Sequence, residues 1–149
     1  MGSRLSAAHH DGILLLTLES DDGFPRLERR ILAEIEAQVA KLAGTHELAG
    51  AVITGTDRAF AVGAEISELA NLTPASAVEF ARRGQSVMRA VANSAKPIIA
   101  ATRGYCMGGG FDLALACHAR IASSDAGSLI PAEASGLSPG GVGRSDYRD

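Results

Sequence analysis

The sequence predicts an α/β fold with largely parallel strands and crossover helices. Short apolar runs alternate with longer stretches of helical period, and glycine, proline or polar residues punctuate the joins. Strand and helix in alternation is the pattern of a parallel sheet, because parallel neighbours need a long crossover between them. With 149 residues, the chain suits one domain with a substantial core.

The elements follow in order. Gly12 to Glu19, "GILLLTLE", reads as a strand buried on both faces. From Leu27 to Leu42 the period changes: Leu27, Ile31, Leu32, Ile35, Val39 and Leu42 share one helical stripe, and Gly44 stands where a C-cap belongs. Leu48 to Gly55 is a second buried strand. In "NLTPASAVEFARRGQSVMRAVANSA" Thr73 can cap a long helix and Pro74 suits its first position, while Gly84 weakens its middle. "KPIIAAT" follows as a third strand, then a helix from Phe111 to Cys117 and a short strand "ARIAS". After Asp125 no periodicity is evident, and the chain stops without closing another element.

Bulk properties narrow the function. A hydrophobic fraction of 46% with 21% charged residues is that of a globular domain, and a net charge of −3 argues against nucleic acid or an anionic membrane as partner. No apolar run approaches the roughly 20 residues of a membrane helix, and the start "MGSRLSAAHHDG" lacks the pattern of a secretory signal. Two cysteines, Cys106 and Cys117, do not make a disulfide scaffold, so a cytoplasmic location is expected. His9 and His10 have no third ligand at suitable spacing, and no metal site is expected.

The glycine cluster Gly108 to Gly110 is the unusual feature. Glycine loses the most backbone freedom on folding, so three in a row at a helix entrance need a reason. The first N–H groups of a helix lack internal acceptors and carry the positive end of its dipole. A glycine-lined entrance therefore lets a phosphate, or a carbonyl becoming an oxyanion, approach those groups. The phosphate-loop and dinucleotide patterns are both absent. Tight packing of the helix start against Ile98 to Ala101 is the structural alternative. A second small-residue turn, "AFAVGAE", follows the second strand and can aim another N–H at the same point.

At these residues the chain resembles the crotonase superfamily, the enoyl-CoA hydratase/isomerase family. "RAFAVGAEISEL" is similar to its F-x-x-G-A-D/E-I/L motif. "KPIIAATRGYCMGGGFDLALACHARIAS" is similar to its long K-P-x-I-A-A block with the triple glycine, and "LSPGGVG" to its later G-L-x-P-G-x-G turn. The family's N-A-L-type loop has "DGFPRLERR" in its place.

The resemblance implies a crotonase-like ββα superhelix core that binds an acyl-CoA thioester. Coenzyme A would enter as part of the substrate, with no separate cofactor. It implies that the N–H groups of Ala64 and Gly109 bind the thioester oxygen, with Gly63, Glu65, Gly108 and Gly110 supporting them, Glu65 by fixing its turn. Fixed donors of this kind contribute about 3–4 kcal/mol each to an enolate. Asp112 matches the first of the family's two catalytic glutamates, one methylene and roughly 1.5 Å shorter in reach; an acid in the first turn also suits the helix dipole alone. The second glutamate position falls on Ala132, and Glu133 lies one residue off. An intact oxyanion frame favours an enzyme; Ala132 favours a non-catalytic acyl-CoA-binding or assembly protein. His118 reads as a cation at a helix C-terminus, Cys106 as a buried residue, and Arg82, Arg83 and Arg89 as a solvated face or a phosphate-facing one. The family's C-terminal helices, which cover the site and mediate trimer contacts, have no counterpart. Residues 1–149 are thus expected to form a single, incomplete core domain that exposes an apolar flank and assembles as a homo-oligomer, a trimer or dimer of trimers when full-length.

Overall fold

The structure, a computed structural model, describes residues 2–128 and 142–143. It opens with a hairpin. Strands β1 (Arg4–His10) and β2 (Ile13–Glu19) pair antiparallel in full register, from Arg4 opposite Glu19 to His10 opposite Ile13. The turn is Asp11-Gly12, both at positive φ (50° and 79°). An Asp-Gly pair between two strands is a strong hairpin signal, but Arg4–His10 carries no apolar stripe that would mark it as a strand, and in the structure it is largely exposed.

Helix α1 (Arg29–Gly44) crosses over to β3 (Gly50–Thr54), which lies parallel to β2. The chain then makes a short strand β4 (Ala59–Ala61), a one-turn helix α2 (Ile66–Ala70) and the long helix α3 (Pro74–Ala92). The next unit repeats the order: β5 (Ile98–Thr102), a short β6 (Tyr105–Cys106) and α4 (Gly109–Ala116). A third begins with β7 (Ala119–Ala122) and β8 (Gly127–Ser128), and β9 (Val142–Gly143) returns antiparallel to β7. Long strands build one sheet in the order β1-β2-β3-β5-β7-β9, and short strands build a second, β4-β6-β8. Each winding is therefore long strand, short strand, helix: the ββα superhelix. The second sheet escaped the sequence reading because strands of two or three residues are too short to show a period.

The core follows the expected stripes, with departures at β2, at Gly44 and at Leu27, which is buried but precedes α1. Helix α1 buries Ile31, Leu32, Ile35, Val39 and Leu42. Strand β2 buries Leu14, Leu16 and Leu18, but Ile13, Leu15 and Thr17 on its other face are only half covered, so it is not buried on both faces. Gly44 is the last residue of α1 and has no left-handed conformation, so it is not the expected cap. Lys96 closes the helix instead, donating from Nζ to the carbonyls of Leu42 (2.9 Å) and Thr45 (2.6 Å). A cation at the negative end of a helix also complements its dipole. Helix α3 begins as expected, with a reciprocal capping box: Ser76 N–H donates to Thr73 Oγ1 (3.1 Å) and Thr73 N–H to Ser76 Oγ (2.8 Å). No helix among the described residues is long and apolar enough to cross a membrane.

The cap generates a prediction. Lys96→Met keeps the aliphatic stem and removes two charge-assisted bonds, which should cost about 1.5–3 kcal/mol in urea unfolding. An unchanged unfolding midpoint would show that water replaces the ammonium at no cost.

Candidate functional site

Two bends of main chain meet at the open ends of β4 and β6. The first holds Gly63, at φ 97°, and Ala64; the second holds Gly108, at φ 53°, and Gly109. A Cβ placed on Gly63 would lie 3.6 Å from the Gly109 nitrogen, and one on Gly108 would lie 3.6 Å from the Gly63 Cα. The bends therefore touch through backbone alone.

The direction of each N–H follows from peptide planarity. A peptide's carbonyl and the next residue's N–H share one plane and point opposite ways. Gly63 O accepts from Leu27 N–H at 2.7 Å, which sets the plane that carries Ala64 N–H. Gly108 O accepts from Asp112 N–H at 3.1 Å, the first bond of α4, which sets the plane carrying Gly109 N–H. Among the described residues neither the Ala64 nor the Gly109 N–H has an acceptor. Both residues line one cavity of about 730 Å³, within the range of ligand cavities.

The walls of that cavity are mostly apolar. Leu27, Leu32, Phe80, Met88 and Leu115 contribute from α1, α3, α4 and the segment before α1. Asp112, in the first turn of α4, supplies a carboxylate to the same cavity. It is exposed, and among the described residues no side chain bonds to it. Glu65 is drawn aside: its Oε2 lies 3.4 Å from Arg26 Nε, in an ion pair at the edge of the bend. Glu133, its neighbour Ala132 and the "LSPGG" turn lie outside the described residues.

The three glycines of the cluster answer to three different constraints. Gly108 is the N-cap, and its left-handed φ disfavours any side chain. Gly109 has room: a Cβ there would meet Leu27 Cδ1 at an ordinary 3.5 Å. Gly110 is buried against β4, where a Cβ would fall 2.5 Å from Ala61 O and 2.7 Å from Ala61 Cβ. Helix α4 therefore packs its entrance against Ala61, not against Ile98 to Ala101 as the packing alternative had it.

The far end of α4 depends on a residue the sequence reading did not single out. Arg120 on β7 is 2% exposed and donates from one guanidinium nitrogen to Ala114 O (3.1 Å), Leu115 O (3.4 Å) and Cys117 O (3.3 Å). Its signal was an arginine inside an otherwise apolar strand. This guanidinium, not His118, is the cation at the helix C-terminus. The His118 ring is engaged elsewhere: its Nδ1 accepts the Ile98 N–H at 3.0 Å. Burial pushes the thiols of Cys106 and Cys117 up to about 12, which keeps both neutral and poor nucleophiles at physiological pH. Arg83 pairs with Glu36 at 3.7 Å, Arg82 is solvated, and Arg89 borders the cavity. Among the described residues no group of three metal-ligating side chains forms.

The glycine contacts make a paired prediction. Gly110→Ala should lose about 3 kcal/mol through overpacking against Ala61. Gly109→Ala, in a helical turn with space for a methyl, should gain up to ~1 kcal/mol. Equal melting temperatures for the two variants would contradict the assignment of different roles.

Comparison with known proteins adds the relationship. Residues 8–147 match the family model described as enoyl-CoA hydratase/isomerase. The chain is 37% identical over 115 residues to a crotonyl-CoA hydratase of Syntrophomonas wolfei, covering 76% of this chain and 44% of that protein. It is 30% identical over 129 residues to a short-chain-enoyl-CoA hydratase of Clostridium acetobutylicum, covering 86% and 49%. A solved structure from Legionella pneumophila, classed as an enoyl-CoA hydratase/isomerase (crotonase), superposes with a TM-score of 0.80 at 26% identity, over 92% of this chain and 54% of that one. The chain thus spans about half the length of the curated relatives it matches. Its fold is that of crotonase, and it belongs to the enoyl-CoA hydratase/isomerase family.

Proposed function

We propose that the chain carries the thioester-activating half of an enoyl-CoA hydratase/isomerase-type site. One observation carries the reading: two N–H groups, Ala64 and Gly109, without an acceptor among the described residues, stand on touching bends that open on one largely apolar cavity. A thioester oxygen bound there would accept two hydrogen bonds. When water adds to the β carbon of an enoyl thioester, the double-bond electrons move toward that oxygen and an enolate forms. Preorganised N–H donors stabilise the developing charge more than the neutral carbonyl, which is what lowers a barrier. Asp112, which lines the same cavity, would take the proton from water. The carboxyl so formed, or Glu133, would return a proton to the α carbon. Apolar walls at Leu27, Leu32, Phe80 and Met88 suit an acyl chain.

A second reading is favoured by Ala132, which stands where the family's second glutamate is expected. On that reading the chain binds an acyl-CoA without turning it over.

Crotonyl-CoA turnover measured beside a thioester-binding titration separates the two. Hydration by wild type is expected, falling at least about 10²-fold in Asp112→Asn. Gly109→Pro removes one donor at the first helical position, where proline is well tolerated, and should lower kcat by about 10²–10³. Tight thioester binding without turnover would establish the second reading; neither binding nor turnover would exclude both.

A further inference from the structure

The bend that bears Ala64 has little of its own to hold it. Helix α2, which follows directly, buries no residue, and its Ile66 is 79% exposed. The bend is held from outside, by residues 25–29. Val62 N–H donates to Pro25 O at 2.9 Å, and Leu27 N–H to Gly63 O at 2.7 Å. Beyond Ala64 two side chains extend the same seam. Arg26 Nε faces Glu65 Oε2 at 3.4 Å, and Arg29 N–H, at the first position of α1, donates to both Glu68 carboxylate oxygens at 3.2 and 3.3 Å.

Both of these links are anchored at their far ends. Arg26 also donates from Nη1 to Asp22 Oδ2 and to Phe24 O, each at 2.7 Å, and its own N–H donates to Ser3 Oγ at 2.7 Å. Asp22 is fixed in turn by Ser20 Oγ (2.7 Å) and Phe24 N–H (2.9 Å), which with Arg26 hold its carboxyl well below the usual carboxylate range. Glu28, the N-cap of α1, commits its carboxylate to Ser3 N–H at 2.9 Å. That leaves the α1 N-terminus to Glu68, a residue 39 positions further along the chain.

We propose that Arg26 and Glu68 are positioning residues for the Ala64 N–H, gripping the donor bend on its C-terminal side while the two backbone bonds grip the other. The inference rests on the reading that this N–H receives a thioester oxygen. Its physical basis is independent of that reading: the Leu27–Gly63 bond sets the peptide plane at Ala64, and it survives only while residues 62–68 lie along residues 25–29. Both side-chain links are partly solvated, Arg26 and Glu65 at 27% and 33% exposure, so they contribute little to global stability. Their effect falls on alignment.

The test uses the full chain with Arg26→Gln, Glu68→Gln and the conservative Arg26→Lys. Melting temperature, crotonyl-CoA kinetics, affinity for butyryl-CoA and hydrogen exchange at the Val62 and Leu27 amides are measured on each. Both glutamine variants should melt within a few degrees of wild type yet exchange those two amides faster, with kcat lowered about tenfold or more at a KM within about twofold. Arg26→Lys should recover part of the loss. Wild-type exchange at both amides, or wild-type kcat, in either glutamine variant overturns the proposal. If wild type itself shows no turnover, the hydratase reading fails separately. The exchange rates and the affinity for butyryl-CoA then decide the positioning role: weaker binding with faster exchange supports it, and unchanged values overturn it.

Discussion

A peptide group has a single plane, so whatever holds its carbonyl also aims the N–H on its other side. At Gly63–Ala64 the carbonyl is held by Leu27, and at Gly108–Gly109 by the first turn of α4. Much of the architecture between residues 20 and 120 serves these two planes. The ββα winding brings β4 and β6 side by side, with Met107 N–H donating to Ala61 O at 3.0 Å, so that the bends leaving them emerge together. Backbone contact at Gly63 and Gly108 then removes the side chains that would otherwise fill the gap.

Rigid support comes from different chemistry at each end of α4. At its entrance Gly110 packs against Ala61 with no space for a methyl, a constraint of shape. At its exit the buried Arg120 gathers three carbonyls, a constraint of charge. A helix fixed at both ends keeps Gly109 and Asp112 in register with the opposite bend. The Ala64 side is held more lightly, by a seam of two backbone bonds and two partly solvated carboxylate contacts. That difference explains why changes on the 25–29 side should alter alignment before they alter stability.

The sequence made the large features legible and the connections obscure. The stripe Ile31, Leu32, Ile35, Val39, Leu42 and the Thr73-Pro74 start of α3 follow from local rules, so α1 and α3 were readable. The short strands β4, β6 and β8 were not, because two or three residues carry no period. Ala64 and Gly109 stood out through family-like motifs, and the structure places both on one cavity. Lys96, Arg120, Arg26 and Glu68 did not stand out, since each works through a partner distant in sequence or through carbonyls that every residue has. His118 was misread for the same reason: its partner is the Ile98 N–H, on a neighbouring strand.

The central claim is that two backbone N–H groups share one acceptor. A crystal structure with butyryl-CoA, a saturated thioester that has no double bond to hydrate, tests it directly. The account predicts the thioester oxygen at hydrogen-bonding distance, about 2.7–3.2 Å, from the nitrogens of both Ala64 and Gly109, with the acyl chain between Leu27 and Met88. A thioester oxygen bound to one of these nitrogens alone, or seated elsewhere on the molecule, would contradict it.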